Sequence, residues 1–426
     1  MIRYIIHTFF TKTLVSSLGF LTIILISHIL GPEARGEQSI FLSNVVLLIL
    51  FTTLMGNSTL VYLAPRYDFS ELFIPSFLWT ILSLIIGFLL LPLFNNVVTY
   101  PIYLLLIVFF ASINDTNSFI LLGKERIKES NYLKIIPPLS TISILFVLFL
   151  LGKFSSTFNY VVSLLIGYAL SFLFGIFFLR KDFLKLHLLE KKAFIYILQM
   201  MLFIGGIKQF GSIFQMLTSR LSFYIIAIYC GDKILGNFSN GISLLEVVLI
   251  FGTSLAMVQY SILSNTEDKV FEKMFSLIMT KLNIVFTFFA LLVLCLLPSE
   301  VYTFIFGSGF NEIKNVIILL SLSTFLLSIS STFTQHFASK GNFTISAFSS
   351  FVAFLATCLF GFWLIPLYGI IGAAISTTIS YAICLLIEGY YFKKWTKLKF
   401  SDFIIRKSDI PLIKDFLSNK FEKNKY

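Results

Sequence analysis

Two cations lie inside one long apolar stretch of the chain, from Ala193 to Cys230, which holds no other charged side chain. They are Lys208 and Arg220. Charged side chains inside a membrane-spanning helix are rare and costly, and they usually mark a substrate path, an ion path or a buried ion pair. Arg220 lies about 15 Å along a helix from Cys230, which is near the middle of a bilayer.

Arg220 keeps its charge, so its guanidinium must face a wet cavity, a carboxylate or an anionic ligand. Planar guanidinium donors match phosphate oxygens in bidentate fashion. Lys208, about 33 Å from Cys230, can line the same path or extend its stem to lipid headgroups. Gln215 and Ser219 share a helix face with Lys208, whereas Arg220 points about 120° away. These four residues are predicted to form a substrate path, with a structural ion pair as the alternative for Arg220.

The most polar run inside any predicted helix is Ser112–Ser118, which contains Asn114, Asp115 and Asn117. Such a run cannot face lipid without a large cost. Asp115 is predicted to be either the counter-ion of Arg220 or a site for a coupling proton or sodium ion, with the two asparagines as its neighbours. If the fourth helix is shorter than predicted, part of the run lies outside the hydrocarbon core.

Other polar residues are fewer. Glu246, in the predicted eighth helix, is a second carboxylate for a coupling ion or counter-ion. Gln259 and His336, near helix ends, are expected either to lie at the membrane interface or to make hydrogen bonds between helices. The four cysteines stand singly, and no His, Cys, Asp and Glu cluster has ligand spacing, so neither a metal nor a cofactor is predicted. The sequence has no glycine-rich nucleotide loop and no hydrolase triad, which argues against an enzyme and against ATP as a directly bound energy source.

The composition defines the elements that must position these residues. The chain of 426 residues is 57% hydrophobic and only 12% charged, with a mean hydropathy of +0.92, whereas soluble domains carry about 25% charged residues. We therefore predict an all-α, multi-pass membrane protein whose N-terminal segment is a retained helix rather than a signal peptide. Its twelve predicted spans are residues 11–30, 39–63, 72–94, 101–122, 132–151, 159–179, 195–230, 238–262, 275–297, 315–337, 343–365 and 370–392.

The basic residues support this count of twelve. When the 32 lysines and arginines are sorted by predicted loop, 25 fall on the side of the N-terminus, four fall on the other side, and three lie in or beside spans. Cytoplasmic loops are enriched in Lys and Arg, so both termini are predicted to be cytoplasmic. The net charge of +11 then indicates contact with anionic lipids of the inner leaflet rather than with nucleic acid.

An internal repeat organises the spans. Gly31–Gly36, between the first two spans, recurs 200 residues later as Gly231–Gly236, between spans seven and eight. Six spans per repeat is an even number, so the two halves share one membrane orientation, with a central cavity between them and alternating access by rocking. The predicted domains are an N-terminal six-helix lobe (1–180), a basic cytoplasmic linker (181–194), a C-terminal six-helix lobe (195–392) and a basic cytoplasmic tail (393–426).

Three segments resemble a known family: Leu30–Glu37, Phe304–Phe310 and Ile365–Thr377. They are similar to polysaccharide and O-antigen flippases, the Wzx-like branch of the multidrug/oligosaccharidyl-lipid/polysaccharide exporter (MOP) superfamily. The resemblance implies twelve or fourteen helices in two lobes around a central cavity. Relatives often carry an acidic residue shortly after the arginine of the seventh helix, where this chain has Ser222.

The same resemblance implies a function. A Wzx-like flippase moves undecaprenyl-pyrophosphate-linked oligosaccharide, an O-antigen or capsule repeat unit, from the inner to the outer leaflet of the bacterial inner membrane. Its implied partners are the lipid-linked oligosaccharide, membrane lipids, and a polysaccharide polymerase with other assembly proteins. No cofactor is implied beyond a coupling proton or sodium ion.

Other functions stay open from the residues alone. A cation-coupled drug or metabolite antiporter of the multidrug-extrusion branch typically has a carboxylate in its first helix, where this chain offers only His28. A membrane-embedded glycosyltransferase or polymerase usually needs a large outside loop, and the longest one here is about residues 298–315, near ordinary connection length. A peptidoglycan-precursor flippase has similar chemistry but usually fourteen helices.

Overall fold

The computed structural model describes residues 2–56, 58–90, 98–187, 190–266, 268–397 and 400–403, and within these ranges it contains helices and no strand. The side chains of residues 2–9, 58, 193, 204, 207, 208, 400 and 401 lie outside this description. A short 3₁₀ turn, Phe400–Phe403, follows the last of the helices, which are α1 Ile2–Thr52, α2 Ser58–Leu63, α3 Phe69–Leu90, α4 Pro101–Gly123, α5 Ile127–Leu150, α6 Thr157–Phe178, α7 Arg180–Phe183, α8 Lys191–Cys230, α9 Asp232–Ser264, α10 Lys269–Leu296, α11 Ser299–Phe306, α12 Ile313–Ser339, α13 Phe343–Tyr368 and α14 Ile370–Thr396.

Eleven helices of the described chain are long and apolar enough to cross a membrane. The first of them, Phe10–Thr52 within α1, consists of two helical arms that meet in a kink at Gly31, where the backbone is non-helical and φ is 82°. The span predicted at 11–30 lies in the first arm. The span predicted at 39–63 begins in the second arm, which ends at Thr52, and extends over the short helix α2. With that bend, the eleven helices account for the twelve predicted spans, and the all-α multi-pass architecture is confirmed.

The repeated glycine motif has the same backbone shape in both copies. Gly31 has φ 82° and Gly231 has φ 84°, a region that glycine alone adopts without strain. Pro32 then starts the second arm of α1, since its fixed φ suits the first turn of a helix. The two copies also end alike, because Ser39 and Ser239 each donate a hydrogen bond back to the carbonyl of the motif's last glycine, at 2.7 and 3.0 Å.

The two motifs also contact each other reciprocally. Gly36 lies against the backbone carbonyl of Asp232, and Gly236 lies against the carbonyl of Pro32, so closely that a Cβ on either glycine would overlap that backbone. Each contact maps onto the other when 200 residues are added or subtracted. This reciprocity is what a twofold relation between duplicated segments produces, and it supports the predicted internal repeat.

The chain divides into two compact units. The first comprises 1–240 and 300–311, and the second comprises 241–299 and 312–426. The first unit therefore contains α8, which the repeat assigns to the second lobe. The predicted lobes at 1–180 and 195–392, the linker and the tail stay predictions, and residues 404–426 of that tail lie outside the described residues.

Helix α4 is the central helix of the first unit. In its most apolar stretch 67% of the residues are buried, against 28%, 22% and 33% for α3, α5 and α6. Leu104, Ile107 and Val108 of α4 are fully buried against α1, α5 and α6. Side chains on the outer faces of its neighbours, such as Leu89 and Leu150, are 68% and 67% exposed, as expected for lipid-facing positions. A polar residue on α4 is therefore held among other helices.

The second unit contains α10, α12, α13 and α14. Helix α13 ends at Gly369, and α14 begins at once after it. Gly372 of α14 lies directly against the backbone carbonyl of Leu364, so the two helices approach each other closely at this turn.

Candidate functional site

Arg220 is carried by α8, a continuous helix of 40 residues and therefore ~60 Å long, twice the thickness of a hydrocarbon core. The helix is tied to α1 by side chains. Gln209 donates to the carbonyl of Leu50 at 2.8 Å, and the Tyr224 hydroxyl donates to Asn44 Oδ1 at 2.8 Å. These contacts fix the rotation of α8 and hence the direction of Arg220.

The Arg220 side chain is half-buried, and its guanidinium lies over the ring of Phe223, 4.8 Å from the centroid. This contact between the guanidinium and the aromatic ring helps to position the Arg220 side chain. Ser222, close to it in the helix, is buried, and its hydroxyl has no hydrogen-bond partner among the described residues. The position at which relatives often carry an acidic residue is therefore occupied in this structure by a buried, neutral hydroxyl group.

The other predicted path residues of α8 differ in exposure. Gln215 is exposed, and Ser219 is half-buried with its hydroxyl donating to the Met216 carbonyl at 2.9 Å. Lys208 lies in the same helix, but its side chain is outside the described part of the chain. Their shared role in a substrate path stays a prediction.

The polar run of α4 lies within the helix and is largely buried, so the fourth helix is as long as predicted. Asn114 Nδ2 donates to the Leu133 carbonyl of α5 at 3.2 Å, and Ser171 of α6 donates to Asn114 Oδ1 at 2.6 Å. Ser118 and Ser130 share a hydrogen bond of 2.9 Å. Because both ends of the Asn114 amide are occupied, this residue ties three helices together.

Asp115 is half-buried on α4, and its charged neighbour is Lys134 of α5. The ammonium group of Lys134 also lies over the ring of Phe119, 5.3 Å from the centroid. The structure thus brings Asp115 to a cation that the sequence analysis did not consider as its partner. The predicted pairing of Asp115 with Arg220 stays a prediction.

The two remaining predicted ion-site residues lie in different surroundings. Asn117 is fully buried beside Gly175, and neither atom of its amide has a hydrogen-bond partner among the described residues. Glu246 is exposed on α9. The structure therefore does not gather Asp115, Asn117 and Glu246 into one group of ligands.

The sequence of the chain was compared with those of known proteins and protein families. No protein-family model matches the chain. Over 184 residues, 41% of the chain, it is 23% identical to a protein of Haloferax volcanii named as a probable low-salt glycan biosynthesis flippase, Agl15, and the match spans 38% of that relative's length.

Solved structures give broader likenesses. The lipid II flippase MurJ, in an inward closed conformation, aligns with a TM-score of 0.73 at 17% identity, covering 95% of this chain and 89% of that one. An inward-facing multidrug resistance MATE family transporter of the MOP superfamily aligns with a TM-score of 0.67 at 13% identity, covering 91% and 96%. The chain has the MOP superfamily fold. The predicted resemblance is thereby confirmed for the fold over nearly the whole chain.

Within this MOP fold, the sequence analysis missed a buried arginine. Arg35, which the sequence places in an outside loop, is only 3% exposed. Its Nε donates to Asn240 Oδ1 at 2.7 Å, and its Nη1 donates to Gln38 Oε1 at 3.0 Å. Asn240 Nδ2 in turn donates to Ser27 Oγ at 2.9 Å. This network crosses the repeat beside the reciprocal glycine contact, and the buried position of Arg35 follows from that contact, which the sequence does not show.

Tyr100, at the start of α4, lies near the same motif. Burial and then the neighbouring carboxylate of Glu37 raise the pKa of Tyr100, so its hydroxyl stays a hydrogen-bond donor toward Glu37.

A second missed residue is Glu388 of α14, which is 1% exposed inside the second unit of the MOP fold. It accepts hydrogen bonds from Thr334 at 2.9 Å, from Ser349 at 2.9 Å and from Ser330. A single glutamate in a predicted span was the available signal, since intramembrane carboxylates are rare.

The predicted interhelical roles of Gln259 and His336 are confirmed. Gln259 of α9 donates to Ser276 of α10 at 3.3 Å and to the Thr332 carbonyl of α12 at 3.2 Å. His336 Nδ1 lies 2.9 Å from Ser276 Oγ, and its Nε2 lies 3.5 Å from Glu272 Oε1. Lys340 pairs with the other oxygen of Glu272 at 2.9 Å. This cluster connects α9, α10 and α12. Its polar groups bond to one another, as in a structural network, and do not form an open binding site.

Proposed function

We propose that this protein is a flippase that moves a lipid-linked oligosaccharide across a membrane by alternating access. Three findings support the proposal: the MOP fold, the partial match to a relative named as a glycan biosynthesis flippase, and the structural likeness to a flippase of lipid II. A transporter fold also favours transport over the glycosyltransferase or polymerase alternative.

Arg220 carries the proposal at the level of chemistry. Its half-buried guanidinium, held over Phe223 in a membrane-spanning helix, is an anchor for an anion. A lipid-linked sugar carries a pyrophosphate, whose oxygens the guanidinium edge binds in bidentate fashion. Gln215, Ser219 and Lys208, on another face of α8, are the proposed further contacts along the path. The single observation on which this role rests is the position of Arg220.

The finer identity of the substrate follows the resemblance to Wzx-like proteins. We infer an undecaprenyl-pyrophosphate-linked repeat unit of O-antigen or capsule, carried from the inner to the outer leaflet of a bacterial inner membrane. The distribution of lysines and arginines supports cytoplasmic termini. A polysaccharide polymerase and other assembly proteins are the proposed partners on the product side.

A coupling ion is part of the proposal, because the sequence has no nucleotide-binding loop. Asp115 is the proposed site in the first unit, for a proton or a sodium ion, since it is an intramembrane carboxylate. Asn114 is occupied by its hydrogen bonds to α5 and α6, whereas the Asn117 amide has none among the described residues. Asn117 is therefore the better candidate for a polar ligand beyond Asp115, and exposed Glu246 is the weaker one.

A multidrug antiporter is the second candidate, favoured by the likeness to a MATE family transporter. Such a protein would export organic cations, and a cationic Arg220 would repel them. The two functions differ in the charge of the preferred ligand. In purified protein, a polyprenyl pyrophosphate should raise the melting temperature and a cationic dye should not.

Arg220→Ala tests the flippase function in cells. We expect loss of surface polysaccharide with unchanged abundance of the protein in the membrane. Arg66→Ala is the matched control, because Arg66 is an exposed arginine whose guanidinium lies over the ring of its own helical neighbour Tyr62. Normal surface polysaccharide in the Arg220→Ala strain would remove Arg220 from the substrate path.

A further inference from the structure

Glu388 is a carboxylate enclosed by hydroxyl groups. Its Oε1 accepts hydrogen bonds from Thr334 of α12 and Ser349 of α13, each at 2.9 Å, and its Oε2 accepts one from Ser330 of α12. The side chain is 1% exposed. Three helices therefore meet at one carboxyl group inside the membrane-spanning part of the second unit.

The charges around Glu388 are distant from it. Within the described residues, α13 carries no acidic or basic side chain, and His336 and Lys340 of α12 are directed to Glu272. On α14 itself the titratable groups within about one helical turn are Cys384, whose Sγ lies 3.6 Å from Ser330 Oγ, Tyr390 and Tyr391. Lys393 and Lys394 lie farther along the helix. In the part of the chain that the structure describes, no lysine, arginine or histidine pairs with Glu388.

Hydroxyl partners allow this carboxyl group two states. When the carboxyl is ionised, three O–H groups donate to it. When it is protonated, its own O–H can donate to Ser330, because a hydroxyl rotates freely and can turn its proton toward Cys384 Sγ. A lysine or arginine partner would not have this freedom, since neither group accepts a hydrogen bond.

The two carboxylate oxygens of Glu388 are taken up by direct hydrogen bonds. The hydroxyl oxygens lie at direct hydrogen-bonding distance from the carboxylate oxygens, whereas a bound cation would stand between these oxygens. A proton needs no such space. The geometry therefore favours a proton over sodium as the ligand of Glu388.

A cleft of about 750 Å³ lies between the start of α13 and the end of α14. Tyr391 and Trp395 line the cleft, three and seven residues after Glu388 and so on the same face of α14. Ile345, also in the lining, lies one turn before Ser349 on α13. Lys394 stands at the cleft as its charged member. Water in the cleft would thus come within about one helical turn of Glu388.

We propose that Glu388 is a proton-binding site of the second unit, which takes up and releases a proton through this cleft. Ionised Glu388 holds α12, α13 and α14 together through three hydrogen bonds, and protonation replaces one of these acceptor contacts by a donor. The coupling of this change to transport rests on the proposed function, whereas proton binding itself does not.

Infrared difference spectroscopy tests the site on the full-length protein in lipid, without any transport substrate. We expect the C=O band of a protonated carboxylic acid to change as the pH is varied, and one component of that change to be absent in Glu388→Gln. Glutamine keeps the shape and the acceptor oxygen for Thr334 and Ser349, and gel filtration checks that the variant is folded. Glu300→Gln, on an exposed carboxyl at the start of α11, is the control that should keep the component.

A pH response of Glu388→Gln identical to that of the unmodified protein would overturn the proposal. In reconstituted vesicles, Glu388→Gln should also lose the acceleration of lipid transport by a pH gradient and keep transport without a gradient. Equal acceleration in both proteins would overturn the coupling. Absence of lipid transport in the unmodified protein would instead contradict the proposed function and leave the infrared result valid.

Discussion

Asn114 and Asp115 are adjacent on α4, but their side chains lie in different surroundings. Asn114 has its amide fully used between α5 and α6, at 3.2 and 2.6 Å. Asp115, one residue later, points about 100° away around the helix and has Lys134 as its charged neighbour. The first arrangement is structural, while the second leaves a carboxylate whose charge can serve transport.

We expect Asp115→Asn to reduce transport at least tenfold while the amount of folded protein in the membrane stays the same. The amide keeps the size of the carboxyl but cannot bind a proton or carry a charge. The measurements are surface polysaccharide and the abundance of the protein. If folded protein disappears instead, Asp115 and Lys134 are a structural pair, because removing one partner of a buried pair leaves an uncompensated charge.

Asn114→Leu is the contrasting variant, and it should lower the stability of the protein. It removes both hydrogen bonds of the Asn114 amide, each worth about 0.5–1.5 kcal/mol net, while the Ser171 hydroxyl still donates to the Leu133 carbonyl at 2.8 Å. A lower melting temperature in detergent checks this expectation. An unchanged melting temperature would contradict the role of Asn114 as a tie between helices.

At the scale of elements, the reciprocal glycine contact sets how closely the two repeated motifs approach each other. Gly36 and Gly236 bring backbone against backbone with no side chain between them. Arg35 then lies buried beside this contact and bonds to Asn240. The two glycines allow the two backbone segments to approach closely, and this close approach buries Arg35.

Gly36→Ala and Gly236→Ala should each destabilise the protein, because the added Cβ overlaps backbone atoms that cannot move aside as a flexible side chain can. Gly206→Ala is the matched control, since a Cβ there meets nothing within 4 Å and lies in a helix. The control should be neutral or more stable by about 0.5–1 kcal/mol. Melting temperatures that rank Gly36→Ala level with Gly206→Ala would contradict the close contact.

The helices and the repeat could be predicted from the sequence because both depend on residues that are close together in the chain or recur at a fixed spacing. Apolar runs of about 20 residues mark the spans, and the Gly-x4-Gly spacing recurs at a fixed offset. The break at Gly31 could be predicted too, since Gly31 and Pro32 together interrupt a helix, but the length of the second arm, which ends at Thr52, could not.

The contacts of the charged residues were harder to predict from the sequence than the helices were. Arg220 and Asp115 could be selected because isolated charges in apolar runs are rare. Their partners could not, because Lys134 and Phe223 become neighbours only through helix rotation and packing. Glu388 and its three hydroxyl partners depend on residues 39 to 58 positions away, and ordinary serines and threonines give no signal of such a site.

At the scale of the whole molecule, the distribution of basic residues predicts the orientation in the membrane. Ser155 is exposed in the turn between α5 and α6, which is predicted to be outside, and Glu190 is exposed at the start of α8, which is predicted to be inside. We expect an impermeant maleimide to label Ser155→Cys in intact cells, and Glu190→Cys only after permeabilisation, in a protein whose own cysteines are replaced by serine. The reverse labelling would contradict the predicted cytoplasmic termini.

The central claim is that this MOP fold moves a lipid-linked anion between leaflets. The most direct measurement is the leaflet exchange of a fluorescent polyprenyl-pyrophosphate oligosaccharide in vesicles containing the purified protein. We expect exchange well above that of empty vesicles, and its loss in Arg220→Ala but not in Arg66→Ala. Exchange no faster than in empty vesicles, with uptake of a cationic drug by the same protein, would contradict it.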